Sequence, residues 1–353
     1  MPCVPQGDAP VITQRELNRA VLARQLLLKR ADATVPIALE RMACLQAQYA
    51  PAMYIGLWSR VVGFERDALT RALERRAVVQ GTLMRSTIHL VSRRDYWPLA
   101  LAIREERRRW WLGVQRRNGI TETDVVTAAD KVRARLTGGN TMSQRDLSAL
   151  AGPSGYTGVG LWLDMVRVPP SGTWERRRAD LYGLAEDWIG AEPDLDPDDA
   201  LEHLVRRYLT GFGPASVAEI AGWAGVRPAV IAPAVERMGL RVFAAEDGTT
   251  LVDLPRAPRP DGETPAPERF IPVWDATLLV HARRAVLIRE DDRARIFNTK
   301  TPQSLHTFLV DGEVAGSWRF ADGRVIVEPF RPLPKATMRL LDDEAERLAT
   351  FHA

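Results

Sequence analysis

The stretch from Phe212 to Leu254 constrains the fold more than any other part of the chain. Phe212-Gly-Pro-Ala-Ser-Val-Ala-Glu-Ile-Ala-Gly-Trp-Ala-Gly225 reads as a short capped helix stopped by glycine. Arg227 and Pro228 open a second helix over 228–238, and Leu240–Leu254 alternates around Asp247-Gly248 as a hairpin. Helix, tight turn, helix and hairpin, in that order, describe a winged helix. Two imperfect copies precede it. In the first, Thr13 caps a helix over 13–30 with Leu17, Val21, Leu22 and Leu26 at helical spacing. Pro36 opens a helix over 36–43, a further helical stretch runs from Pro51 to Trp58, and 67–78 is amphipathic through Leu69, Leu73 and Val78. The alternating Met84–Val91 follows as a strand. In the second copy, Ser143–Ala151 is a serine-capped helix ended by Gly152. Leu163–Val168, the Pro-Pro-Ser-Gly turn at 169–172 and Thr173-Trp174 then form a wing. Chance similarity does not repeat in order, so three copies outweigh any one.

The expected fold class is therefore α+β, with three tandem winged-helix motifs and a β-rich C-terminal portion. The expected units are 11–120, with a basic helix at its end, 121–195, 196–258 and 259–353. Residues 255–269 are rich in Pro, Gly and charge and read as a linker. Beyond it, 270–280, 285–288, 307–310, 313–320 and 324–328 read as strands. Asp311-Gly312 and Asp322-Gly323 serve as hairpin turns, and 343–351 is a closing helix.

Composition is that of an ordinary globular protein, with 46% hydrophobic and 26% charged residues among 353. Met1–Pro10 has neither a basic start nor an apolar core, and every apolar run is cut by Arg, Glu or Asp. No secretory signal or membrane span is expected, and Cys3 and Cys44 are too few for a disulfide framework. A cytoplasmic protein is the expectation, associated with the nucleoid when acting on DNA. Net charge is only +3, but arginine is clustered. Arg104, Arg107, Arg108 and Arg109 lie beside Trp110 and Trp111, with Arg116 and Arg117 following. A second set is Arg283, Arg284, Arg289, Arg293, Arg295 and Lys300. Such runs are solvated faces in most proteins, and they are also what a phosphate-gripping surface requires.

His89, His203, His281, His306 and His352 are scattered and neither cysteine sits in a ligand pair, so no metal or other cofactor is expected. Gly158-Val-Gly160 lacks the context of a phosphate loop, and no nucleophile elbow is visible. Cys44-Leu-Gln-Ala-Gln-Tyr49 stands out. In extended geometry Gln46 and Gln48 point to one side, into a cleft, while Ala47 faces the core. Thr87 and His89 likewise share a strand face. An isolated Gln-Ala-Gln is ordinarily structural.

Its surroundings change that. LQAQYAPAMYIGLWSRV, GTLMRSTIHLVS, TGFGPASVAEIAGWAG, IPVWDATLLVHARR and FLVDGEVAGSWR occur in one order. Over about residues 13 to 345 the chain resembles the AlkZ/YcaQ-like family of winged-helix DNA glycosylases. The resemblance implies three winged helices and a β-rich part in a C shape around DNA. It implies excision of bulky alkylated purines and unhooking of interstrand crosslinks. It also implies Gln46 and Gln48 as the active-site pair of the Gln-x-Gln branch, often tied to self-resistance in bacteria that make DNA-alkylating antibiotics. Arg85, Thr87 and His89 become candidate supports or DNA contacts. His281, Arg283, Arg284 and Lys300 become candidates on a hairpin that probes the minor groove. Relatives often carry an acidic residue where this chain has Ala282, which bears on fine specificity.

A glutamine amide is a poor general base, so the chemistry has to demand little. A purine alkylated at N7 or N3 is cationic and leaves readily, and two amide carbonyls suffice to hold a water on the anomeric carbon. Trp274 and Asp275 read as core and turn-stabilising residues. The expected partner is double-stranded DNA carrying alkylated purines. The alternative is a non-catalytic winged-helix transcription regulator, which would ordinarily have a dimer interface. No heptad zipper is visible, so a monomer is expected.

Overall fold

Three times along the chain a set of helices hands over to an antiparallel pair of strands. The computed structural model describes residues 9–279, 286–297 and 304–353. Helices Val35–Met42, Ala50–Trp58 and Arg66–Glu74 precede strands Val78–Thr82 and Ile88–Ser92. Helices Glu122–Leu136, Gln144–Ala151 and Gly155–Trp162 precede Met165–Arg167 and Leu181–Leu184. Helices Pro197–Phe212, Val217–Ala224 and Pro228–Arg237 precede Arg241–Ala245 and Thr250–Asp253. The caps are those the residues dictate. The Ser143 hydroxyl accepts from the Asp146 amide, and Ser216 and Glu219 close a reciprocal capping box. The 23-residue helix Arg93–Gln115 joins the first set to the second.

The first two sets share one six-stranded sheet. Its order is Leu45–Gln46, Ile88–Ser92, Val78–Thr82, Met165–Arg167, Leu181–Leu184, Met142–Ser143. One face packs on Tyr96, Tyr208 and Trp223, and the other on Tyr54 and Trp174. The third hairpin instead gains Val11–Ile12 as a parallel strand, Val11 opposite Ala244. The segment expected to open the first unit thus adds to the sheet of the third. A bidentate Arg24–Asp253 ion pair, both side chains fully buried, fastens the two together. The C-terminal strands Arg269–Ile271, Thr307–Val310, Glu313–Ala321 and Arg324–Pro329 form an antiparallel sheet against helix Lys335–His352. Asp311-Gly312 and Asp322-Gly323 take the positive φ angles that two-residue hairpin turns need.

Several sequence expectations are corrected. Met84–Val91 is not one strand: Arg85 and Ser86 have φ of 53° and 55°, which makes 84–86 a turn before Ile88. The helices read over 13–30 and 67–78 stop at Arg24 and Glu74, where Leu26 and Arg76 reverse the chain at positive φ. Thr173-Trp174 does not pair with Leu163–Val168. The Ser171 hydroxyl donates to the Arg178 carbonyl and accepts from the amides of Asp180 and Leu181, folding 171–180 on itself and leaving 181–184 to pair. The strand read over 270–280 covers only Arg269–Ile271, because the buried Asp275 caps the turn Ala276–Leu278. Residues 286–288 are not a strand, and the last helix starts at Lys335.

Three imidazoles are held neutral by burial. His89 is pushed down to about 3, with Arg85 adding to the effect, while His306 and His352 fall to about 4. The unfolded chain protonates these groups near pH 6.5, so it binds protons that the folded chain refuses. Stability is therefore present above about pH 6.5 and is lost as the pH falls toward 4. Urea midpoints measured from pH 7 to pH 4.5 will decline steadily; a flat series contradicts these assignments.

Candidate active site

The helix Val35–Met42 ends abruptly. Ala43 and Cys44 have φ of 72° and 144°, and the chain emerges extended as Leu45–Gln46. The Gln25 amide donates to the carbonyls of Met42 and Gly211, so the turn is pinned to the helix that opens the third set. Tyr49 remains extended, and Pro51 at the start of Ala50–Trp58 begins the next helix. The Gln-Ala-Gln segment is thus strung between two helices along the outer edge of the six-stranded sheet.

Register places Gln46 opposite His89 and Leu45 opposite Leu90, and the Ala47 amide donates to the Ile88 carbonyl at 2.8 Å. Gln46 and His89 therefore share a face, while Gln48 lies past the strand, in the bend that leads to the next helix. Leu45 and Ala47 go into the core, as expected. The Thr87 hydroxyl donates to the Met84 carbonyl and steadies the preceding turn. His89 is 1% exposed. Its Nδ1 bonds the Thr87 carbonyl at 3.0 Å and, since a carbonyl only accepts, carries the proton, while Nε2 has no partner. The neutral ring thus leaves Nε2 as a free acceptor among the described residues.

Arg85 ties this face to the third helical set. One guanidinium nitrogen donates to Gln46 Oε1 at 3.2 Å and the other to the Trp223 carbonyl at 2.5 Å. Burial lowers the Arg85 pKa, and no carboxylate pairs with it among the described residues. A methyl group on Gly225, itself at φ 76°, would lie 2.8 Å from Arg85 Cα, so glycine is what lets the two segments meet. Sequence reading treated Trp223 and Gly225 as the end of a capped helix and missed this role. No signal in spacing links residues 138 positions apart.

The Gln48 Oε1 is buried with no partner. Cys44, next to the pair, is no nucleophile, because burial pushes its thiol up to about 12. Among the described residues no group of His, Cys, Asp and Glu could hold a metal, and no helix is long and apolar enough to cross a membrane.

The arginine-rich helix turns largely inward. Arg104 pairs with Asp164 and Glu192, Arg107 is buried against the Thr82 carbonyl, Arg108 donates to the Leu161 carbonyl, and Arg109 pairs with Glu106. Arg227 and Arg237 of the third set are also paired, with Glu106 and Glu202. Arg116 and Arg117 are exposed. Of the second run, Arg293 and Arg295 pair with Glu290 and Asp292, while His281, Arg283, Arg284 and Lys300 lie outside the described residues, as does Ala282. Asp275 is structural, as read: it pairs with the fully buried Arg60 at 2.9 Å.

The fold is similar to that of Streptomyces sahachiroi DNA glycosylase AlkZ. The TM-score is 0.81, identity is 18%, and 97% of each chain is covered. No curated protein matches the sequence significantly. The family model described as DNA glycosylase AlkZ-like matches residues 39–351, which takes in both glutamines, Arg85, Thr87 and His89. The chain belongs to the AlkZ-like DNA glycosylase family.

Proposed function

We propose that this protein is a monofunctional DNA glycosylase that hydrolyses the N-glycosidic bond of cationic N7- or N3-alkylated purines, with Gln46 and Gln48 as the catalytic pair. The observation that carries the reading is the pair itself: two amides two residues apart, Gln46 on an edge strand and Gln48 in the bend just beyond it, with neither a metal cluster nor a paired carboxylate at the site among the described residues. In the reaction the C1′–N9 bond breaks with its electron pair going to the purine, which leaves neutral. Water oxygen bonds C1′, and the water's surplus proton goes to solvent. The amide oxygens only have to hold that water and face the positive charge developing on the sugar. The low demand on the catalyst restricts the enzyme to bases that already leave well, which spares normal DNA.

The same reading extends to bulky adducts and interstrand crosslinks, and to self-resistance against a DNA-alkylating natural product. Support for these rests on the Gln-x-Gln resemblance. The enzyme would act as a monomer on duplex DNA.

A side-by-side time course on duplexes that differ only in the lesion tests the substrate class. N7-alkylguanine and N3-alkyladenine, small or bulky, will be released, and uracil and 8-oxoguanine will be left in place. Efficient uracil release would mean that a stronger catalytic group operates. Release of methylated but never of bulky purines would mean a closed pocket and a general repair role.

A further inference from the structure

The two glutamines are not equivalent in this structure. Guanidinium nitrogens only donate, so the contact with Arg85 fixes which way the Gln46 amide lies: Oε1 inward on the cation and Nε2 away from it. Gln46 Nε2 has no hydrogen-bond partner among the described residues and is not among the sealed atoms. Arg85 is itself locked by its bond to the Trp223 carbonyl and by the close approach of Gly225. Gln48 is less constrained: among the described residues its buried Oε1 makes no hydrogen bond, and rotation about its last torsion, a soft one, exchanges that oxygen with the NH2 and turns the oxygen outward.

Resting on the reading of these residues as the catalytic pair, we propose that Arg85 is a positioning residue that divides their labour. Gln46 presents its NH2 as a donor to the departing purine, and Gln48 alone supplies the carbonyl that holds the attacking water. Electron density accumulates on the purine as the bond breaks, so a donor there gains strength in the transition state. A cation on the carbonyl side of the same amide polarises it and makes it a better donor. A donor aimed at the water would instead occupy the lone pair that must attack C1′.

Carboxylate substitutions separate the roles, because Glu keeps the shape and the oxygens but loses the NH2. Gln46→Glu keeps the contact with Arg85 and loses only the donor, while Gln48→Glu keeps the acceptor. Both add one negative charge two residues apart, so repulsion from DNA largely cancels between them. Single-turnover release of N7-methylguanine from a duplex is the readout, with duplex affinity and thermal midpoint measured alongside. Gln48→Glu will be faster than Gln46→Glu by at least about tenfold. Arg85→Met will lower the release rate at unchanged affinity and midpoint, and combining it with Gln46→Glu will cost less than the product of the separate losses. Equal rates for the two Glu variants, or the reverse order, would overturn the division of labour. So would a wild-type rate in Arg85→Met, or fully multiplicative losses. If Arg85→Met does not fold, the two Glu variants still decide. A wild-type protein that releases no base sinks the glycosylase reading as well; an active wild type with indistinguishable Glu variants sinks only this inference.

Discussion

Replacing Gln46 or Gln48 by alanine will slow release of an alkylated purine by at least about tenfold each, corresponding to roughly 1.4 kcal/mol of barrier. Gln46 lies on the edge strand and Gln48 in the bend after it, and neither caps a helix, so the loss belongs to chemistry and not to folding. Gln46→Ala removes the amide from Arg85 and leaves a buried guanidinium one acceptor short. Gln48→Ala removes an oxygen that has no hydrogen-bond partner among the described residues, so it breaks no hydrogen bond seen there. Affinity for lesion-bearing duplex will change less than about threefold in either variant, because phosphate contacts dominate binding. Since the two amides act on one event, the double variant will fall short of the product of the single losses. Wild-type rates in both single variants would remove the pair from the mechanism.

Asp253→Ala will destabilise the protein by about 3–5 kcal/mol, the cost of leaving a buried cation unpaired. Asp253 grips Arg24 through both oxygens at 2.7 and 2.8 Å, pairs with Arg259 and accepts from the Leu254 amide. Neither Asp253 nor Arg24 has any exposed side-chain surface, so the charge left on Arg24 stays buried. The pair joins the N-terminal helix to the third hairpin, so its loss also loosens the frame that carries Gln25 and the turn before Gln46. Asp67→Ala, which breaks an exposed pair with Arg71, is the control and will stay within about 0.5 kcal/mol. Urea unfolding of the two variants checks the contrast. Equal midpoints would mean that the buried pair is compensated by packing.

Helix starts and hairpin turns were legible because single residues dictate them. Ser143 and Ser216 cap where their side chains say, and the Asp-Gly pairs turn where φ has to be positive. The helices Glu122–Leu136, Gly155–Trp162 and Pro197–Phe212 were not read. The last is buried at Leu204, Val205, Tyr208 and Phe212 in a core with partners from all three sets, a tertiary decision that local pattern does not carry. The second wing escaped for a related reason. Its loop is organised by one buried hydroxyl, Ser171, with partners seven to ten residues away.

At the site, Gln48 lies past the strand in a bend, and period-two geometry was enough only to send Ala47 into the core. It could not show that Arg85 sits at positive φ and bridges to Trp223, because that contact is made by folding the third set against the first. The arginine cluster at 104–109 misled in the opposite direction. Charge in a sequence does not reveal its partners, and here Asp164, Glu192, Glu106 and two carbonyls absorb it.

Two neutral amides are proposed here to cut a glycosidic bond. Incubating the wild-type protein with a duplex that holds a single N7-alkylguanine, and identifying by mass what enters solution, tests it most directly. The expected products are free alkylguanine and a duplex with one abasic site, at a rate that falls in Gln46→Ala and Gln48→Ala while retention of the DNA persists. Tight retention of the duplex with no free base, in wild type and variants alike, would contradict it and identify a DNA-binding regulator instead.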